Sequence, residues 1–541
     1  MSENKTLPYS YHTFLFPFLW NDANKVSRTE FVKCFRKGWE LDTISETVKP
    51  SNKEFYDQYH YFNQAARNAL YTTSAHQSEV VRNYRYDLER LNPEGSYSGN
   101  WLSNEKREDN PAKYVIQKED KKKELAINGL RLKLFNTGVG MLIFELENYS
   151  CSDEESIIFI NEFGRRVFMP YLNTNTDRTC KLCADCISLM YGGKEISGAS
   201  GKVSGAEQEY ENETKLAQPI AFFLSNDNGY SITTSKVRAS KKNFFIEPII
   251  DDRMFVACFY ENKDFVNGMA VWEDGKYKYL HDAENYIPNE KSVLDPQGKP
   301  SGHDNVAAQL YKMMFVDGVG LSCHSRVMLK SLLEKHIYDR WLEYAFCDDK
   351  NNLVKSGSIT GITEYSMITV TSFAPAVVAP FLTEYIEMVI LVLAQRASLL
   401  AFERTISEIA CQKNKMDVDR VQRDYVIFQS ELLLQEVTPQ QQGIELYDML
   451  IDNLFINKQQ KEIENQIKSL FELNTTSHEK TENCILFILA VLGIVDVVNV
   501  IFKDWFRLCS LICGLISLVA VVAIVVWKLA RRKNWRKAKR D

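Results

Sequence analysis

No glycine-rich loop runs into Lys-Ser or Lys-Thr in this chain, which excludes a P-loop nucleotide site. No secretory leader is expected from the first residues either. The apolar stretch from Tyr11 to Trp20 holds His12 and Pro17, has only Lys5 as a base ahead of it and lacks a small-residue cleavage site. It reads as a buried strand. The 12 cysteines are scattered, with Cys484, Cys509 and Cys513 in long apolar runs, and imply no disulfide framework in a reducing compartment. Excess positive charge is also absent from the bulk of the protein. The net charge is −6, and residues 528–541 contribute eight bases and one acid, so the remainder stands near −13. Such a body does not suit a nucleic-acid backbone, and no DNA or RNA partner is expected. The rest of the composition, 45% hydrophobic and 25% charged, is that of a globular protein. A chain of 541 residues suggests two to four domains.

What the chain does have is two apolar runs near its end, Cys484 to Phe502 and Leu508 to Trp527, separated by Lys503-Asp504-Trp505-Phe506-Arg507. Each is long enough to span a hydrocarbon core of about 30 Å as a helix. Five residues cannot form a domain, so the pair is expected to be a transmembrane hairpin, with residues 484–502 as its first helix and 508–527 as its second. The basic tail, residues 528–541, outweighs the two bases of the loop, which places the tail and the large N-terminal part in the cytoplasm. The expectation is a multi-pass protein of the cell membrane, with both ends cytoplasmic and the lipid bilayer as a partner.

The first run carries Asp496 and Asn499, within about 60° of each other on a helix. Ionisable residues in a span usually face a bundle interior or water. Their stripe continues through Leu492, Leu489 and Ile485 towards the cytoplasm. One hairpin encloses nothing, so a pore needs several copies. In a ring, Ile485, Leu489 and Leu492 would form a dry constriction and Asp496 a cation-attracting ring beside Asn499. The alternatives are a helix-dimer face hydrogen-bonded through Asn499, or an Asp496 shallow enough to snorkel.

Residues 1–375 read as an α/β sensor domain. The sequence predicts helices over Phe31 to Trp39, Tyr56 to Leu91 and Ser325 to Phe346. It predicts a strand–turn–strand unit over Gly129–Leu146, with Asn136-Thr-Gly138-Val-Gly140 as the turn, and strands at Pro219–Leu224, Phe244–Ile250, Met254–Tyr260 and Met367–Ser372. Lys118 to Glu124 reads as a solvated charge run. Asn92–Asn110, Gly192–Lys215 and Tyr286–Asn305 read as surface segments. From residue 380 to 480 the texture is that of a helical stalk. Helices are expected over Phe381–Cys411 and Asp417–Val437, and a third with Thr438 as N-cap, Pro439 at its first position and Gln441 in a capping box. Unbroken to the first span, that third helix would be a rod of roughly 95 Å. The polar stretch Asn474–Lys480 marks the membrane surface or a hinge.

Two further groups bear on chemistry. Cys180, Cys183 and Cys186 have zinc-like spacing but need a fourth ligand, for which Cys151 is a candidate; on a helix Cys183 and Cys186 would simply share a face. Arg326, Lys330, Lys335, His336, Arg340 and Trp341 offer either an anion and stacking surface for a nucleotide or a solvated helix face with Trp341 in the core. Cys323-His324 lacks an assignable orienting acid, and no enzyme activity is expected. No cofactor is required by these readings.

A cytoplasmic α/β body, a helical stalk leading into a two-span hairpin with a very short outer loop, and a basic tail together resemble the CorA family of divalent cation transporters. Gln395-Arg396-Ala-Ser-Leu-Leu400 and Glu436-Val-Thr-Pro-Gln440-Gln-Gln-Gly443-Ile-Glu-Leu-Tyr447 are similar to segments of the CorA-like proteins of bacterial defence loci. The likeness lies in residues 380–541. The family's Gly-Met-Asn at the outer end of the first span is replaced here by Val497-Val498-Asn499, which favours a divergent branch. In that branch, which includes effectors of type III CRISPR antiviral defence, the resemblance implies a homopentamer opened by an adenosine-containing signal nucleotide. The other readings are a housekeeping transporter of divalent metal cations, and a membrane-tethered enzyme or scaffold.

Overall fold

The computed structural model describes residues 7–21, 28–33, 35–43, 53–72, 80–91, 111–167, 184, 186–196, 217–224, 245–251, 253–268, 270–273, 276–279, 310–317, 331–347, 353–412, 415–501 and 514–519. These fall into two units. The first covers Met1–Glu408 and Val421–Ile463; the second covers Ile409–Arg420 and Glu464–Asp541.

The first unit is built around strand β1 (Ser10–Asn21), the expected buried strand. Phe14, Leu15, Phe16 and Phe18 are all fully buried, so both faces of β1 are covered, as in the middle of an α/β sheet. One edge of β1 pairs with β6 (Val139–Asn148). The other pairs first with β10 (Phe255–Glu261), over Ser10–Leu15, and then with β9 (Phe245–Pro248), over Phe18–Asn21. Pro17 falls in the gap between those two partners, where a residue without an N–H interrupts the ladder least.

Beyond β6 come β5 (Lys121–Phe135), β4 (Ala112–Lys118), β7 (Cys186–Tyr191) and β8 (Lys194–Glu195). Beyond β10 come β15 (Ser366–Thr371), β14 (Leu353–Ile362) and β13 (Ile337–Cys347). With β2 (Trp39–Leu41) on β3 (Val81–Tyr86), and β3 on β5, the sheet has thirteen strands among the described residues. The β10–β15 pairing is parallel and the others are antiparallel. The predicted strand–turn–strand unit is the β5–β6 hairpin, with Gly138 at φ +84 in its turn.

Period-two alternation on β5 shows how the layers form. Leu130, Leu132 and Leu134 join a core with Phe14, Phe144, Ile160 and Phe223, the last two from helices Glu154–Gly164 and Gln218–Leu224. Arg131 and Lys133 point the other way, to Glu387 of helix Ile386–Gln412. Helices thus cover both faces of the sheet.

Several expectations are corrected. Of the helix predicted over Ser325–Phe346, only the turn Leu332–His336 is helical among the described residues; Ile337–Cys347 is strand β13. Pairing with β14 overrides the helix propensity of Leu342, Glu343 and Ala345. Gln218–Leu224 is a helix rather than a strand, with Pro219 in its first turn, where proline costs no hydrogen bond. The stretch Tyr56–Leu91 divides into helices Lys53–Tyr61 and Gln64–Leu70, strand β3 and the turn Leu88–Leu91. Phe31–Trp39 is not one helix: Arg28–Val32 is helical and Trp39 begins β2. In the charge run, Lys118 is buried at the end of β4. The surface segments predicted at Asn92–Asn110 and Tyr286–Asn305 lie outside the described residues.

Helix Ile386–Gln412 differs from a stalk helix. It lies inside the first unit up to Glu408, and Met388, Val389, Ile390, Leu391, Val392 and Leu393 are fully buried. Among the described residues, Val377–Ala410 is also the one helical stretch long and apolar enough to cross a bilayer, with mean hydropathy 1.9 in a window that is 61% buried. A helix apolar all round is satisfied equally by a protein core. Here Ser398 meets Thr137 at 2.7 Å, Arg404 pairs with Glu247 at 2.6 Å and Phe381 stacks near Phe259, so this helix is core.

Candidate functional site

The helix expected to become the first span is continuous over Ile456–Ile501, 46 residues, or roughly 69 Å. It runs through the polar stretch 474–480 without a break. Its break lies earlier: Gln441–Asn453 is a separate helix, and Phe455 between the two takes a left-handed φ of +59. A non-glycine residue there is strained by roughly 1–3 kcal/mol. The predicted pore residues Ile485, Leu489, Leu492, Asp496 and Asn499 all lie on this helix, spaced four, three, four and three apart, and so form one stripe. Ile485 and Leu489 are 51% and 58% exposed; Leu486 and Phe487, on other faces, are 62% and 70% exposed. The side chains of Leu492, Asp496 and Asn499 lie outside the described residues, as do the loop 503–507 and all of the second run except the helical residues 514–519.

The expected nucleotide surface is only partly described. Arg326 and Lys330 lie outside the described residues. Arg340 and Trp341 are neighbours on strand β13, and successive strand residues face opposite ways. Trp341 packs against the core over Gly357, where a Cβ would come within 2.5 Å of the ring, and its indole N–H donates to Asp339. Arg340 is exposed on the other face, electrostatically coupled to Tyr61, Tyr338 and Tyr385. Burial raises all three phenols above their ordinary range, and the arginine charge opposes the rise. Tyr338 donates to Glu445 at 2.7 Å and Tyr385 to Gln442 at 3.2 Å. These bonds tie β13 and the start of the core helix to helix Gln441–Asn453.

The cysteine reading is only partly visible. Cys186 opens β7, half-buried and unoxidised, while Cys180 and Cys183 lie outside the described residues. Cys151 donates its thiol to Asn148 Oδ1 at 3.3 Å. Among the described residues no three His, Cys, Asp or Glu side chains gather as a metal site.

The two segments that carry the resemblance meet in space. Gln395, fully buried, donates from Nε2 to Leu432 O at 2.9 Å and to Tyr447 Oη at 3.0 Å, and Tyr447 donates onward to Leu434 O at 2.7 Å. Thr438 does not cap the helix that follows: Gln440 is the N-cap residue, and Thr438 Oγ1 donates to Tyr61 O at 2.6 Å. Asn63 Nδ2 holds Glu436 O at 2.7 Å. Gly443 is required by this packing, because a Cβ would lie 2.3 Å from Tyr61 Oη and 2.4 Å from Thr438 Cγ2. The non-helical link between helices Lys415–Glu431 and Gln441–Asn453 is therefore locked onto the core helix.

Sequence reading missed the buried ion network under that helix. Glu387 pairs with Lys133 at 2.7 Å and with Arg131, which also pairs with Glu145 at 2.8 Å; Lys133 donates to Leu70 O at 2.9 Å. Burial alone would raise the Glu387 carboxyl, but Lys133 and Arg131 outweigh it and hold the carboxyl below its ordinary value. Burial lowers Lys133 despite its partner. The available signal was an acid at the start of the most apolar stretch of a helix, and two bases on one face of a strand. No protein-family model matches this chain, and no curated protein matches it.

Proposed function

We propose that the chain is one subunit of an oligomeric membrane channel, CorA-like in layout, in which a large cytoplasmic body controls ion passage through a ring of first-span helices. The carrying observation is the continuous helix Ile456–Ile501, on whose apolar end Ile485, Leu486, Phe487, Leu489, Val491 and Ile494 are exposed. In the second run Leu515, Ile516, Leu518 and Val519 are exposed in the same way. Apolar surface of that extent needs a partner, and lipid together with sister copies supplies one. The basic tail and the polar stripe of Asp496 and Asn499 support a cytoplasmic body and a water-facing helix side. On the family resemblance, the ring is a homopentamer, the opening signal is an adenosine-containing nucleotide, divalent cations are among the conducted ions, and the setting is antiviral defence in a bacterial membrane.

Opening requires two states that a ligand binds unequally. The locked link around Gln395 and Tyr447 and the strained Phe455 lie between the sheet and the long helix in sequence, so they are where a change in the body would be passed on.

Purified protein in liposomes tests the reading. Flux that requires added nucleotide, together with a ring-sized mass in mild detergent, is the expected result. Flux without nucleotide favours a housekeeping transporter, and absence of flux favours a tethered scaffold. Asp496→Asn should lower cation flux with assembly intact. A monomer at micromolar concentration ends the channel reading.

A further inference from the structure

Arg165 follows helix Glu154–Gly164 and is 2% exposed, among the most buried large side chains of the described residues. Its Nη2 donates to Val316 O at 3.0 Å, while Nε and Nη1 are buried without a partner. A buried guanidinium is normally matched by a carboxylate. This one is surrounded by like charge. Arg166 pairs with Arg253 across an antiparallel bridge, and both repel Arg165 more strongly than Asp251 and Glu162 attract it. Burial and that repulsion bring its pKa down to about 9.

Tyr365 lies at the centre. The Arg165 guanidinium is 5.9 Å and the Arg253 guanidinium 5.3 Å from its ring centroid. From the core helix, Arg396 reaches the same group: it is coupled to Tyr365, Asp251 and Glu364, and its Nε and Nη1 are buried without partners. Arg253 is held by Asp251 at 3.1 Å. The assembly therefore sets four arginines against three carboxylates, Asp251, Glu364 and Glu162. Arg253, Tyr365 and Arg396 are only half-buried, so one side is open to solvent.

We infer that Arg165, Arg253 and Arg396 around Tyr365 form a binding site for a phosphate group. The net positive charge favours an anion, the Nε and Nη1 of Arg165 and of Arg396 supply donors for its oxygens, and the tyrosine ring gives a flat surface for whatever the phosphate is attached to. The site stands on these residues alone. Only its role in opening the pore rests on the channel reading.

The test uses the full-length protein in detergent, with thermal unfolding followed in inorganic phosphate, in adenosine monophosphate and in adenosine. Phosphate and the monophosphate should both stabilise the protein, and adenosine should not. A preference of about tenfold or more for the monophosphate identifies a nucleotide ester as the source; equal affinity identifies phosphate alone. Arg396→Gln should weaken binding by about tenfold or more, as loss of charge-assisted hydrogen bonds requires. Arg165→Met should do the same and also raise the melting temperature without ligand. Arg404→Gln, at a paired arginine, should bind normally. If Arg165→Met does not fold, Arg396→Gln alone decides. Absence of stabilisation, equal response to adenosine, or normal binding by Arg396→Gln would overturn the site. Binding that persists in a protein without flux overturns the channel and leaves the site intact.

Discussion

Two helices of this chain have nearly the same texture and opposite surroundings. In Ile386–Gln412 the residues Met388 to Leu393 are fully buried under the sheet, whereas in Ile456–Ile501 the residues Ile485, Phe487 and Leu489 are mostly exposed. Hydropathy states that a helix must leave water and says nothing about what will cover it. What separates them is matched charge. Glu387 meets Lys133 and Arg131 from within the same unit, so the first helix is committed to a protein partner. Over its described residues 485–491 the second helix offers only apolar groups.

Breaking the charge match should give the largest effect. Glu387→Gln leaves Lys133 buried without its carboxylate and Arg131 with Glu145 alone, and should cost about 3–5 kcal/mol of body stability, measured by denaturant unfolding of the detergent-solubilised protein. A loss below about 1 kcal/mol, the worth of a surface pair, would show that the core helix is not held this way.

The second effect depends on pH. His12 is buried in β1, bonded to Ser10 at 2.8 Å and Asn161 at 2.7 Å, and burial lowers its pKa to about 4. Because the folded state resists protonation, stability is full above about pH 6.5, the unfolded value, and falls as pH drops towards 4. The loss should reach about 3 kcal/mol. Replacing His12 with Gln should flatten that part of the profile; an unchanged slope would assign it to other groups.

Gly443→Ala probes the lock. Its methyl meets Tyr61 and Thr438 and should cost about 1–3 kcal/mol, read as a lower melting temperature. The smallest effect in energy, though conspicuous in cells, concerns the exposed helix. Leu489→Asn or Leu492→Asn should wet the constriction and raise basal ion flux by about tenfold, equivalent to about 1.4 kcal/mol. Silent variants with normal expression would remove this stripe from the pore.

Legibility followed the range of the interactions. Strand β1 and the β5–β6 hairpin were readable because alternation and a glycine turn are local signals. Strand β13 was not, since Leu342, Glu343 and Ala345 favour helix and only β14, beyond a reversal of the chain, makes it a strand. The Gln395–Tyr447 contact was foreshadowed by the two segments that contain it, but not its geometry. Arg165, Arg253 and Arg396 stand far apart in sequence, and tertiary packing brings Arg165 and Arg253 beside Tyr365, with Arg396 coupled to it from the core helix.

The place of β1 at the centre of its sheet also sets a timetable. Ser10 is opposite Asn148 on one side and Tyr260 on the other, so β1 waits during synthesis for nearly 250 residues before its second edge is filled. The β10–β15 pairing then waits for Ser366. Throughout that interval a twelve-residue strand, apolar on both sides, presents an open edge to other nascent chains. Folding of this body is accordingly slow and concentration-sensitive, and a cell making it has reason to shield its first strand while translation continues.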